Sequence, residues 1–176
     1  MKERKGIKVL LIIMAMIAMC GLMAGCSKDK DKEKSKGNSY ETPISDYFEG
    51  MQKADVKTYN KAYPDFYNET YAPDEDDMDK LKKNFEEKYG KNYKISYEIK
   101  NTDDISSSDL ENVQKYIEKR LKKTVKIDEG KEVKVKATIK GDVDEDTDTT
   151  KMYSYKIDGE WKLFDVSPST AKAYVK

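Results

Sequence analysis

Histidine is absent from this chain of 176 residues, and cysteine occurs only twice, as Cys20 and Cys26. Without histidine the chain lacks the commonest general base, the commonest metal ligand and the usual switch near neutral pH. Serine–histidine–aspartate catalysis, cysteine–histidine catalysis and histidine-based zinc sites are therefore excluded. An excess of either charge is also lacking, because 34 basic residues face 34 acidic ones. This balance argues against a nucleic-acid partner.

Long apolar runs are scarce as well, because the chain has a single one, residues 9–19. Four basic residues precede this run, and Leu22-Met23-Ala24-Gly25-Cys26 follows it. A basic start, an apolar centre and small residues before a cut are typical of a secretory signal. The segment resembles the lipobox of bacterial lipoproteins, although Met23 stands where leucine is usual. The resemblance implies that residues 1–25 are a signal peptide and that Cys26 carries a diacylglycerol thioether.

The alternative is an uncleaved membrane anchor, because the apolar stretch falls between the lengths of signal cores and of spanning helices. Under the lipoprotein interpretation, Cys20 leaves with the signal and lipid blocks Cys26. The exported domain then has neither a disulfide nor a free thiol. Two acyl chains satisfy the two-signal requirement for stable anchoring. We therefore expect the protein on the extracytoplasmic face of a bacterial cell membrane, attached to it by the lipid.

The segment after the lipobox has no apolar residue, because residues 27–39 are lysine, acidic residues, serine, glycine and asparagine. Such a segment cannot pack, so residues 26–39 are predicted to be a lipidated cysteine followed by a disordered tether. The tether reaches at most about 45 Å when extended and averages about 20 Å as a flexible coil. The single domain predicted for residues 40–176 is therefore expected close to the membrane.

The first half of this domain has helical apolar spacing. A stripe from Ile44 to Met51 predicts the first helix. Asp55 is placed to cap a second helix, which Pro64 interrupts. A further helix is predicted to follow Asp74, and Ser108 with Glu111 predicts a capping box before a later one.

The second half has a period of two, which predicts strands. Apolar and polar residues alternate over residues 93–100 and 133–140, and Asp158-Gly159 predicts a tight hairpin between two further strands. The order predicts an α+β fold, in which a curved antiparallel sheet of about four strands packs on the N-terminal helices. We expect helices on one face of this sheet and solvent on the other.

Three short features of the sequence add a resemblance to a known superfamily. The break at Lys53-Ala54-Asp55, the stop at Ala62-Tyr63-Pro64 and the closing hairpin of residues 158–163 look like the nuclear-transport-factor-two-like superfamily, and more narrowly its bacterial lipoprotein branch. The resemblance covers most of residues 40–168. It implies a cone-like, cystatin-like fold with a curved sheet around the first helix and often a pocket at the mouth. The superfamily contains enzymes, binding modules and transport factors, so the fold does not give the function.

Tyrosine is abundant and is regularly spaced in one segment. Tyr59, Tyr63, Tyr67 and Tyr71 recur every four residues, so a continuous helix would bring them into one stripe. One hypothesis is a ligand pocket in the cone. Its candidate residues are Tyr59, Tyr63, Tyr97, Tyr155 and Trp161. The alternative is that these rings belong to the core and keep their polar tips at its rim.

Lysine dominates the outward positions of the predicted strands. The candidate contacts to an anionic polymer or to lipid headgroups are Lys94, Lys134, Lys136 and Lys156. The alternative is that these lysines serve solubility and protect the sheet edges.

Aspartate recurs at positions 142, 144, 146 and 148, as it does in calcium loops. The calcium loop needs glycine at its sixth position and glutamate at its twelfth, where this chain has Thr147 and Tyr153. We therefore interpret the run as a solvated hairpin loop, and predict neither a metal nor a cofactor. A histidine-free enzyme would need an Asp base with a Tyr donor, and Asp165 alone is predicted to lie on a strand.

The sequence as a whole favours a membrane-anchored, non-catalytic module that binds an envelope protein or polymer. The alternative is a lipoprotein that binds a small ligand in the tyrosine- and tryptophan-lined cone.

Overall fold

A computed structural model describes residues 39–175 of the chain. The signal segment, Cys26 and the tether as far as residue 38 lie outside the described residues. The helices are α1 (Glu41–Lys53), α2 (Val56–Lys61), α3 (Asp65–Tyr71), α4 (Glu75–Tyr89), α5 (Ser107–Tyr116), continued by a π-helical turn (Ile117–Leu121), and α6 (Pro168–Val175). The strands are β1 (Lys94–Asp104), β2 (Ile127–Lys140), β3 (Glu145–Ile157) and β4 (Glu160–Leu163).

The described chain forms an α+β fold, as the sequence predicts. Its four strands make one open sheet in the order β1-β2-β3-β4, and every neighbouring pair is antiparallel. Four helices precede the sheet in the chain. The closing hairpin is confirmed, because Asp158 and Gly159 both have positive φ, at 50° and 87°. That conformation suits the two-residue turn that joins twisted antiparallel strands.

The predicted cap of α2 is confirmed, the helix predicted after Asp74 begins there, and the predicted cap of α5 is corrected. Asp55 accepts hydrogen bonds from the amides of Lys57 and Thr58, and Asp74 accepts one from Asp77. The N-cap of α5 lies two residues earlier than predicted. Ser106, and not Ser108, accepts from the amide three residues on. The same three-residue spacing fits both serines, so the sequence alone did not separate them.

A first apolar cluster lies between α1, α2, α4 and the sheet. It contains the predicted α1 stripe, the apolar face of α4, and the strand residues Val133, Val135, Ile139 and Leu163. Gly50 allows α1 and α2 to touch, because a Cβ added there would lie 2.5 Å from the backbone nitrogen of Tyr59. This close approach fixes the start of α2 against α1.

A second apolar cluster covers part of the sheet face that was expected to be wet, so that expectation is wrong for one end of the sheet. Leu110, Val113 and Ile117 pack there with Tyr155 and Ile157. Ser154 and Tyr155 are neighbours on β3, so they point to opposite faces, and both are fully buried. The helix predicted after β1 crosses behind the sheet, and α6 joins it there.

Candidate functional site

The five predicted pocket aromatics do not line one pocket. Tyr59 and Tyr63 lie in the first cluster, whereas Tyr155 lies in the second cluster on the opposite face of the sheet. Tyr97 stacks on Phe48 with ring centroids 4.6 Å apart, and Trp161 meets the edge of Tyr40 at 6.2 Å. Alternation along β3 explains the separation of Tyr155, because it points away from the first four helices.

The regular spacing of tyrosines produces a ladder of rings in spite of the helix break. We call Tyr59, Tyr63, Tyr67 and Tyr71 the tyrosine ladder. Successive centroids are 5.6, 5.0 and 4.8 Å apart. The first two rings are 4% and 5% exposed, while Tyr71 is 39% exposed. The ladder therefore runs from the core to the surface.

Asn68 holds the ladder together across Pro64. The proline lacks an amide hydrogen, so the carbonyl of Asn60, four residues before it, loses its α-helical donor. The side-chain amide of Asn68 donates to the carbonyl of Asn60 at 2.8 Å and to that of Tyr63 at 3.4 Å. These bonds keep α2 and α3 close enough for the rings of Tyr63 and Tyr67 to stack at an interplanar angle of 14°.

Asp165 lies beside the third ring of the ladder. Its carboxylate accepts a hydrogen bond from the hydroxyl of Tyr67 at 3.0 Å. The residue follows β4 by two positions and so lies beyond the strand on which we predicted it. Phe164, 1% exposed, anchors this segment and meets the ring of Tyr67 edge-on at 5.7 Å. Tyr67 packs against both apolar clusters, so Asp165 marks their junction.

The electrostatics of this junction are unusual for a surface carboxylate. Asp165 is exposed as a residue, yet the surrounding rings displace water from its carboxylate and raise its pKa, although the hydrogen bond from Tyr67 lowers it. Burial raises the pKa of the Tyr47, Tyr59, Tyr63 and Tyr67 hydroxyls, and the negative charge of Asp165 raises each of them further. The phenols therefore stay protonated and can act as hydrogen-bond donors.

The predicted lysine face carries nearly balanced charge. The strand register places eleven charged residues on the face that α1–α4 do not cover. They are Lys94, Glu98, Asp103, Glu132, Lys134, Lys136, Lys140, Glu145, Lys151, Glu160 and Lys162. Six lysines thus meet five acids, and three of the lysines are paired, Lys140 with Glu145, Lys151 with Glu132 and Lys162 with Glu160. Lysine therefore exceeds the acids by one on this face and does not dominate it as predicted, because the longer strands bring further acids to it.

The candidate lysines also separate in space. Lys94, Lys134 and Lys136 lie on that face and make no ion pair within residues 39–175. Lys156 points to the opposite face, because the register sets it across from Trp161 and it alternates with Tyr155. Its ammonium pairs with Glu129 at 2.8 Å. Lys156 therefore does not belong to the same surface.

The aspartate run has a structural role at two of its positions. Only residues 141–144 form the turn between β2 and β3, and Asp146 lies in β3 instead of in the predicted loop. Asp146 accepts from the hydroxyl of Tyr89 at 2.8 Å and from the ammonium of Lys88, which lowers its pKa. Asp142 accepts from Asn92. Within the described residues, no three acidic or cysteine side chains gather as metal ligands would.

Comparison with known proteins identifies no relative of this chain. No protein-family model matches the chain, and a search of curated proteins finds no match either. From residue 39 to residue 175, no helix has the length and apolar content to cross a bilayer.

Proposed function

We propose that this chain is an extracytoplasmic lipoprotein, held to the membrane by lipid on Cys26, whose domain is a non-catalytic ligand-binding module. The ligand site is the outer end of the tyrosine ladder together with Asp165. The observation that carries the proposal is this exposed carboxylate, which has aromatic neighbours and no cationic partner among residues 39–175. A charged group that loses water without an ion pair is typical of binding and active sites.

Binding is favoured over catalysis by the chemistry of the same groups. Burial raises the pKa of the Tyr59 and Tyr67 phenols, which remain protonated, so these two groups can donate hydrogen bonds but cannot serve as bases near neutral pH. Among residues 39–175, Asp165 is the one carboxylate within hydrogen-bond distance of the ladder. The whole chain lacks histidine. A rigid aromatic wall with one carboxylate suits the recognition of a ligand.

The nuclear-transport-factor-two-like resemblance stays a prediction that accords with this proposal. Helices that precede an antiparallel sheet and a closing hairpin are present in the described chain. The ladder would correspond to the mouth of the cone that the resemblance implies. The covered second face is a departure from a simple one-sided cone.

The anchor is tested in cells that receive a clickable fatty acid. The native chain should incorporate the label and sediment with membranes, whereas Cys26→Ala should lose the label and the membrane attachment. Cys20→Ala is the matched control and should behave as the native chain. Equal labelling of the Cys26→Ala chain would show that the cysteine assignment is wrong.

The ligand site is tested on the full chain in detergent micelles by saturation-transfer NMR with a panel of small aromatic and aliphatic compounds. Compounds that bind the native chain should bind Tyr71→Ala more weakly, because that substitution removes the exposed end of the ladder. Lys83→Ala, on an exposed face of α4, is the control. A panel that binds both variants equally would exclude the ladder as the site.

A second candidate function is contact with an anionic envelope polymer. The observation that favours it is that Lys94, Lys134 and Lys136 make no ion pair within the described chain. The double substitution Lys134→Glu and Lys136→Glu should weaken retention of the full chain on wall polymer, and a matched reversal at Lys83 and Lys172 should not. Equal retention of both double variants would argue against a specific polymer surface.

A further inference from the structure

The carboxylate of Asp165 is hydrogen-bonded to a tyrosine and not to a lysine. Thirteen ion pairs connect lysines to acids across residues 39–175, and Asp165 takes part in none. Lys162, three residues before it, instead pairs with Glu160 and donates to the carbonyl of Lys61. The negative charge at this site is therefore not neutralised by the described part of the domain.

The hydrogen bonding of Asp165 also leaves one acceptor open. Tyr67 donates to Oδ2, and no group of the described chain donates to Oδ1. The tyrosine hydroxyl oxygen keeps lone pairs of its own after donating its hydrogen. A ligand that approaches Asp165 thus meets a full carboxylate oxygen and a phenolic oxygen, both of which are acceptors.

The surroundings of these acceptors are aromatic. Phe164 and Tyr67 meet edge-on at 5.7 Å, and Tyr71 contacts Tyr67 on the way to the surface, with centroids 4.8 Å apart. Tyr71 is 39% exposed, so part of its ring is accessible to a ligand. Aromatic rings and a carboxylate together attract a cation and provide apolar contact for its hydrocarbon part.

From this arrangement we infer that the site binds a small organic amine, whose primary ammonium group pairs with Asp165 while its apolar body packs on Tyr71. The inference rests on the proposed ligand-binding function and names the chemical class of the ligand. An anion would meet the repulsion of the carboxylate. A neutral ligand would leave the carboxylate unpaired in surroundings from which part of the water is excluded, and an unpaired, desolvated charge is costly.

A primary ammonium is favoured over a quaternary one by the open acceptors. Its three N–H donors can bond the carboxylate Oδ1 and the hydroxyl oxygen of Tyr67, whereas a quaternary ammonium has no donor. A quaternary group is also best held on free ring faces. In the ladder, Tyr63 stacks on one face of Tyr67 at 5.0 Å.

The test is calorimetric titration of the full chain in detergent micelles with 2-phenylethylamine, 2-phenylethanol and phenyltrimethylammonium. The amine should bind at least tenfold more tightly than the neutral alcohol and more tightly than the quaternary compound. Asp165→Asn should remove the preference for the amine, and Asp79→Asn, at an exposed site on α4, should preserve it. Tyr71→Ala should weaken the binding of all three compounds.

The outcomes separate the two proposals. If the alcohol binds as tightly as the amine and both depend on Tyr71, the ammonium class is refuted and the ligand site stands. If the amine retains its preference in Asp165→Asn, the assignment of the carboxylate is refuted. If none of the three compounds binds with saturation, while other compounds of the NMR panel depend on Tyr71, the amine class is again refuted.

Discussion

Replacing Gly50 by alanine tests the packing that positions the tyrosine ladder. Helix propensity alone favours alanine by about 1 kcal/mol in a helix interior. The structure predicts the opposite sign, because the new Cβ would lie 2.5 Å from the nitrogen, 2.6 Å from the Cα and 2.7 Å from the Cβ of Tyr59. These are backbone and near-backbone atoms, so no rotamer change relieves the contact.

The size of the effect follows from what must move. Relief requires α2 to shift away from α1 while the turn between them stays closed by the hydrogen bond from the amide of Asp55 to the carbonyl of Gly50, at 2.9 Å. Overpacking costs about 1–3 kcal/mol, and contact with backbone atoms places this site at the upper end, about 3 kcal/mol. Subtracting the propensity gain of about 1 kcal/mol leaves an expected net loss of about 2 kcal/mol in the free energy of unfolding.

The assay is urea unfolding of the full chain in micelles, followed by circular dichroism and by the fluorescence of Trp161, the sole tryptophan. In a thermal melt of the same variant, each kcal/mol lost should lower the melting temperature by about 3–6 °C for a domain of this length. Asn84→Ala, at an exposed site of α4, is the control for propensity and should stabilise slightly. A Gly50→Ala chain as stable as that control, or more stable, would refute the close approach of α1 and α2.

Three further predictions concern single groups. The folded domain raises the pKa of Asp165, so ionisation of this residue lowers the free energy of unfolding as pH rises from about 4. The free energy of unfolding of Asp165→Asn should therefore increase relative to that of the native chain between pH 3 and pH 7. Asp146 has a lowered pKa and stabilises the fold above pH 4, so Asp146→Asn should be less stable at pH 7, with the difference closing as pH falls. Urea titrations at several pH values measure both differences in the free energy of unfolding between variant and native chain. If the two differences changed with pH in the same direction, the assignments would be contradicted. Tyr155→Phe should cost about 1–2 kcal/mol in urea unfolding, because Tyr155 is fully buried and donates to the carbonyl of Val166 at 2.8 Å. An unchanged free energy of unfolding would show that the hydrogen bond from Tyr155 to Val166 does not stabilise the domain.

Local rules predicted the elements of the fold well. The α1 stripe of Ile44, Tyr47, Phe48 and Met51 is buried, Asp55 and Asp74 cap their helices, and Asp158-Gly159 makes the turn. Each of these signals acts within about four residues, so it can be read without the tertiary structure. The fold class follows from their order along the chain.

Tertiary placement was harder to predict. Alternation shows that Lys156 and Lys134 each point outward from a strand, but it does not show that these two outward directions differ. Only the strand registers reveal that Lys134 lies opposite Lys151 across β2 and β3, whereas Lys156 lies opposite Trp161 across β3 and β4. The path of α5 and α6 behind the sheet is a similar case, because the apolar stripe of a helix does not specify which sheet face it covers.

The candidate site was visible in part. The four-residue spacing of the ladder was evident, although Pro64 argued against a continuous stripe; Asn68 bonds across the break and restores the contact. The meeting of Tyr67 with Asp165 joins residues 98 positions apart, so no local pattern could reveal it.

The stability cost of Asp165 is itself an argument for function. Asp146 is also a partly exposed carboxylate bonded to a tyrosine, but Lys88 neutralises it and the pair stabilises the fold. Asp165 receives a tyrosine hydrogen bond without a lysine, and its raised pKa means that the folded domain is less stable with the charge than without it. Asparagine could accept the same hydrogen bond from Tyr67 without that cost, so packing alone does not explain an aspartate here. A local choice that opposes stability is expected where a ligand supplies the missing interaction, and a cation is the ligand that would supply it at Asp165.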